Sequence, residues 1–413
     1  MRTIEDGELA TILSQVAQRR APNPPRLVVS GNVATPWAVL RQVDQVLEQY
    51  SVYLLNGQRG LPQRPGVTLE TSFVGPGMRG APNLRYVPTR LSLVPRLFSS
   101  SLVPDVVVVH TSPPHNGRVS LGIEVNILPS AIDAARLSGG VVIAQVNSHM
   151  PYTFGNAEID VDEIDYAIEA DEPLPELTMG DLDETSQAIG ELITARVRSG
   201  STLQLGIGGV PDAVVSRLTQ HRDMRVWTEM FSDGVLALER AGCMDSTTPL
   251  TASFLIGTAD LYTWVHRNPR VQMLRTEVTN EPANIARHPN MVSVNTALQV
   301  DLFAQANASR IKGRIYSGFG GQTDFIVGAL HSDGGQAFIA LRSWHPKADV
   351  STIVPLIEEP LTSFQPSAVV TEHGVAEIRG QDDRTQARNL IENAAHPRIR
   401  EELWEEAYEL GLT

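Results

Sequence analysis

Residues 205–214 read LGIGGVPDAV. The apolar run 202–206 (TLQLG) leads into glycines at Gly206, Gly208 and Gly209, and Pro211 then opens a helix-like stretch where its missing N–H costs little. Strand, glycine turn and helix in that order are one step of an α/β fold. The same alternation extends in both directions. Apolar runs at 26–30 (RLVVS), 51–55 (SVYLL), 106–110 (VVVVH), 141–146 (VVIAQV), 225–228 (RVWT) and 368–371 (AVVT) have strand length. Being apolar on both faces, they suit parallel sheets covered by helices. Between them, residues 34–48 carry Pro36 near the start and Val39, Leu40, Val43, Val46 and Leu47 at helical spacing; 211–220 and 384–394 read similarly. The pattern predicts α/β architecture with mainly parallel sheets.

The 413 residues suffice for two or three domains. Residues 167–184 (AIEADEPLPELTMGDLDE) are acidic, contain proline and lack any basic side chain. They read as a linker between domains at 1–180 and 181–413. The formal charge of −14 leaves no electrostatic footprint for nucleic acid. An anionic ligand must therefore be held by local amides and a few basic groups. Cys243 is the single cysteine, which excludes an internal disulfide and a cysteine metal cluster. The ten histidines show no HExxH pair, so no metal is expected. Residues 1–10 have neither the basic nor the apolar part of a signal peptide, and no apolar run is long enough to span a membrane. A cytoplasmic protein is the expectation.

Four motifs can carry chemistry. In the first, Gly206, Gly208 and Gly209 let backbone approach a ligand, and the following helix start offers free N–H groups to an anion. It approaches a dinucleotide fingerprint, but Pro211 stands where the third glycine should be. In the second, TEMFSDG at 228–234, Glu229 follows a strand, where α/β sheets place ligand-binding groups. It can be a base, a metal ligand, a nucleophile or a plain surface carboxylate. The third, SGFGGQTDF at 317–325, puts Gly318, Gly320, Gly321 and Gln322 in a turn whose amides suit an oxyanion or simply form β-turns. The fourth, VVTEHGVAEIRG at 369–380, places Glu372 at a strand end, to shape a site or to cap a helix.

Together and in order, these four runs resemble the acetyl-CoA hydrolase/CoA-transferase family, which includes 4-hydroxybutyrate and acetate CoA-transferases. The tail AHPRIREEL (395–403) is similar too, as are SFVGPGMR (72–79), HTSPPHNGRVSLG (110–122) and VNSHMPYTFG (146–155). The resemblance implies two related α/β domains of the NagB/CoA-transferase type with the active site between them. It implies Glu229 as nucleophile, Asn280 (in VTNEP) as an active-site asparagine, and the amides of Val210 and Gly321 as the oxyanion hole. Glu372 would be a further active-site glutamate, and Gly206, Gly208, Gly209, Gly318, Gly320 and Gln322 would line the CoA site. Acyl-CoA and short-chain carboxylates would be the substrates, with coenzyme A the only cofactor, no metal, and a homodimer by analogy.

The implied reaction is CoA transfer through a glutamyl-CoA thioester; acyl-CoA hydrolysis by the same glutamate and a non-catalytic acyl-CoA sensor are the alternatives. The sequence departs from the family at Thr352, where arginine is common, and at His149 and His373, where glutamine and an aromatic residue are more usual. These departures bear on the substrate more than on the reaction type.

Overall fold

The computed structural model describes residues 1–178, 180 and 182–413. These form two compact units. One comprises residues 1–177 and 249–279, the other 178–248 and 280–413.

The first unit is built on an eight-stranded sheet. Its strands, from edge to edge, are Arg2–Thr3, Tyr166–Ala170, Val141–Asn147, Val106–Thr111, Arg26–Val29, Tyr50–Tyr53, Val67–Thr71 and Leu84–Tyr86. Every neighbouring pair is parallel. The helix Leu128–Ser138 packs on the central strands, and Trp37–Val46 packs against Asp6–Arg20. This explains why the central runs are apolar on both faces: Val106–Val109 and Leu27–Val29 are fully buried.

The second unit carries a six-stranded sheet in the order Arg225–Val226, Thr202–Leu205, Met291–Asn295, Gln336–Ala340, Ala368–Thr371 and Gly374–Glu377. Its pairs are parallel except the last, an antiparallel hairpin. The strand Thr202–Leu205 has a neighbour on each side, and the chain leaves it toward one of them through the helix Gly209–Arg217. The strand order thus reverses there, and the crevice at such carboxyl ends is where open parallel sheets receive ligands.

Two boundaries differ from the sequence reading. The run 167–184 is not linker throughout, since Tyr166–Ala170 is a strand paired with Val141–Asn147; Met179 and Asp181 of that run, and so the cut at 180/181, fall outside the described residues on one side. Residues 249–279 belong to the first unit, not to a continuous 181–413 domain. Hydrogen bonding is the reason. The strand Val271–Met273 lies between Leu250–Ala252 and Phe154–Gly155, and the Ser253 carbonyl accepts the N–H groups of Val125 (3.0 Å) and Asn126 (3.1 Å). The expected strand at 225–228 is shorter, Arg225–Val226, and the expected helix from Pro211 begins two residues earlier, at Gly209.

The helix Glu184–Thr194 lies along Gly209–Arg217 and sets where the glycine turn ends. The contact is tight because Gly190 has no side chain: a Cβ there would stand 2.8 Å from the Cβ of Ala213. Replacing Gly190 with leucine is therefore expected to destabilise the protein by about 1–3 kcal/mol, the usual cost of overpacking. An unchanged midpoint in urea unfolding would contradict this reading of the helix pair.

Candidate active site

Glu229 lies just beyond the edge strand of the second sheet, at its carboxyl end. The preceding side chain fixes it there. Buried Thr228 reaches the carbonyls of Met230 (2.9 Å) and Leu205 (3.3 Å) through its hydroxyl, tying this turn to the end of the neighbouring strand. Nothing in the sequence singled out Thr228, because a threonine after a strand is ordinary.

The Glu229 carboxylate, itself part-buried, meets two donors. Asn280 Nδ2 donates to Oε2 at 2.9 Å, from a side chain that is fully buried. The Gly321 N–H also bonds the carboxylate. Gly321 precedes the first residue of the helix Gln322–His331, so its amide belongs to a helix start, where N–H groups lack intrahelical partners. The approach is possible only for glycine: a methyl group at Gly321 would overlap Glu229 Oε2 and Asn280 Nδ2. Gly320, at φ 49°, makes the turn that aims this amide.

Burial pushes the Glu229 carboxyl up to about 7, and the nearby charge of Asp324 adds to the rise. The bonds from Asn280 and Gly321 oppose it without cancelling it. Asp324 is fully buried in the first turn of the helix Gln322–His331. Its part was not read from the sequence, although it stands within the SGFGGQTDF run.

The other expected residues are placed differently. Gly206 to Gly209 form the exposed turn after Thr202–Leu205, with Gly208 at φ 115°, a conformation that L side chains rarely adopt. Val210 lies in the first turn of the helix Gly209–Arg217, whose start has no side-chain cap. In the first unit the corresponding helix, Trp37–Val46, is closed: Gln145 Oε1 accepts from the N–H groups of Ala38 (3.0 Å) and Val39 (3.3 Å). Gln322 is held by its own chain, donating from Nε2 to the Thr296 carbonyl at 3.1 Å. Gly318 (φ 157°) shapes the same turn as Gly320. Glu372 follows the strand Ala368–Thr371. It takes the N–H and hydroxyl of Ser343 at 3.0 and 2.6 Å, and so pins the loop after Gln336–Ala340. Among the described residues, no group of three or more His, Cys, Asp and Glu side chains could hold a metal, and no helix is long and apolar enough to cross a membrane.

Residues 68–177 match the acetyl-CoA hydrolase/transferase N-terminal domain, and residues 257–407 match the C-terminal domain of the same family. The 4-hydroxybutyrate coenzyme A transferase of Clostridium kluyveri is 40% identical over 81% of this chain and 80% of its own length. The chain belongs to the acetyl-CoA hydrolase/CoA-transferase family. The crystal structure of a 4-hydroxybutyrate CoA-transferase from Porphyromonas gingivalis superposes with a TM-score of 0.81 at 29% identity, covering 99% of this chain and 98% of the other. The family also includes hydrolases: the acetyl-CoA hydrolase of Kluyveromyces lactis is 31% identical over 52% of this chain and 44% of its own length. The α/β fold with mainly parallel sheets expected from the sequence is that of these relatives.

The raised Glu229 carboxyl has a consequence for stability. Between the ordinary glutamate value near 4.5 and the folded value of about 7, the folded state holds a proton that the unfolded state releases. Stability from this group therefore falls as pH rises through that window and is level above it. Glu229→Gln removes the titration. Its melting temperature relative to the wild type is expected to climb between pH 5 and pH 8, by the equivalent of roughly 1–3 kcal/mol. A difference independent of pH would show that the carboxyl titrates normally.

Proposed function

We propose that the chain is a CoA-transferase that moves CoA from an acyl-CoA to a short-chain carboxylic acid, with Glu229 as the covalent nucleophile. The observation that carries this reading is the Glu229 carboxylate held between Asn280 Nδ2 and the Gly321 N–H at a strand's carboxyl end. A carboxylate so fixed has one oxygen restrained by donors while its other oxygen attacks.

The steps balance without ATP or metal. Ionised Glu229 attacks the thioester carbonyl of the acyl-CoA, the C–S bond breaks, and CoA leaves as thiolate. The product on the enzyme is a mixed acyl–glutamyl anhydride. The thiolate then attacks the glutamyl carbonyl, the acid departs as carboxylate, and a glutamyl-CoA thioester remains. A second carboxylate attacks that thioester and the sequence runs backwards to a new acyl-CoA. In the steps at the glutamyl carbonyl, the developing oxyanion is the oxygen that Asn280 and Gly321 already face. They stabilise it with no reorganisation. The uncapped helix start at Val210 supplies a second amide for the oxyanion on the acyl carbonyl.

The carboxyl near 7 fits a nucleophile that must be ionised to react yet stay basic enough to attack. The kcat/KM for acyl-CoA is accordingly expected to rise with pH through about 7. Hydrolysis is the second reading, favoured by the hydrolases in the family: water would then discharge the same intermediate. Whether turnover requires an added carboxylate separates the two.

Enzyme mixed with acyl-CoA and no acceptor should gain the mass of CoA, and borohydride should reduce the thioester and inactivate the protein. Peptide mapping is expected to place the change at Glu229, with no adduct in Glu229→Gln. An adduct mapped to Glu277, Glu281 or Glu372 would overturn the assignment. Gly321→Val, which drives a side chain into Glu229 and Asn280, is expected to lower kcat on the order of 10²–10³. Normal turnover in that variant would remove Gly321 from the site.

A further inference from the structure

The amides that begin the helix Gly209–Arg217 have different fates. Pro211 has no N–H, and the Asp212 N–H bonds the Gly208 carbonyl at 3.0 Å. Gly209 and Val210 are left, and among the described residues nothing accepts from them. Both follow a turn with little to hold it. Ile207, Gly208 and Gly209 are exposed, and Gly208 stands at φ 115°. Glycine is the least restrained residue, so a peptide plane between glycines turns over readily unless something grips it.

One buried side chain supplies the grip. The Asp212 carboxyl reaches back from the helix's first turn and accepts the Gly208 N–H. Asp212 therefore holds both polar groups of Gly208: its own N–H takes the carbonyl, and its carboxyl takes the N–H. These bonds fix the peptide planes on either side of Gly208. The chain then enters Gly209 in one direction, and the Val210 amide is aimed with it.

The helix dipole does not explain this burial. A first-turn acid gains from the dipole while still in water, whereas a carboxylate withdrawn from water is costly unless paired. Among the described residues Asp212 has no cationic partner. Burial pushes its carboxyl up to about 6, and the charge of Asp233 adds to the rise against the Gly208 bond. Protonated or ionised, the carboxyl keeps an oxygen that can accept. We propose that Asp212 is a positioning residue, which locks the glycine turn so that the Val210 amide meets the reacting acyl carbonyl. That role rests on the transfer mechanism proposed above; the lock on Gly208 does not.

Amide exchange at Gly208 reads the lock without turnover. The Gly208 N–H should be protected in the wild type and in Asp212→Asn, whose side-chain oxygen still accepts. In Asp212→Ala it should exchange about tenfold faster, the loss of one hydrogen bond. The rate at which the full-length protein gains CoA from acyl-CoA reads the consequence. It should fall about 10–100-fold in Asp212→Ala, with the final extent of adduct unchanged, and return to near the wild-type rate in Asp212→Asn. If Asp212→Ala does not fold, Asp212→Leu, close to aspartate in shape and without an acceptor, carries the same comparison. Equal loss in the asparagine and alanine variants, a Gly208 still protected without the carboxyl, or an unchanged rate of CoA gain would overturn the proposal. A wild type that gains no CoA at Glu229, while Asp212→Ala releases Gly208, would overturn the transfer mechanism and leave the lock standing.

Discussion

A carboxylate can be withdrawn from water only if donors meet it, and in the second unit two donors and a missing side chain meet at one point. Asn280 and the Gly321 amide converge on Glu229, and the room between them exists because position 321 carries no Cβ. The surrounding architecture serves this junction. The reversal of strand order at Thr202–Leu205 opens the crevice, Thr228 ties the Glu229 turn to that strand's end, and the turn with Gly318 and Gly320 delivers the start of Gln322–His331. Burial then leaves the carboxyl near 7, since two hydrogen bonds repay only part of the lost hydration and Asp324 works against them.

The two units share parallel sheets with a helix following the strand at the point of reversal, yet they treat that helix start differently. In the first, Gln145 from a neighbouring strand accepts two of its amides; in the second, the carboxyl of Asp212, from the helix's own first turn, takes the Gly208 N–H, and the N-cap itself has no side chain to offer. A helix start is an anion site only when its amides are free. One side chain on a neighbouring strand thus converts a potential site into a piece of core. Similar folds in one chain need not carry similar functions.

Much of this was legible in the sequence. Seven apolar runs read as strands are strands, and the glycine motifs mark real turns at Gly208 and Gly318 to Gly320. Local pattern failed where pairing is distant. Met291–Asn295 and Gln336–Ala340 stand at the centre of the second sheet, but their neighbours lie far along the chain. The acidic run hid Tyr166–Ala170 because charge around a strand masks its apolar core. Glu372 follows its motif faithfully, yet its partner is Ser343, a residue no spacing rule connects to it. Gln145 reads as one polar residue in an apolar strand, and only the fold reveals what it caps.

The insertion of residues 249–279 into the first unit bears on how the chain is made. Synthesis runs from the amino end, and domains usually fold in the order they leave the ribosome. Here the first unit still lacks the strands Leu250–Ala252 and Val271–Met273 when the front part of the second, residues 178–248, has already emerged. The edge at Phe154–Gly155 stays unpaired through that interval. The first unit cannot be finished before the second has begun, so their folding cannot be two separate events in succession.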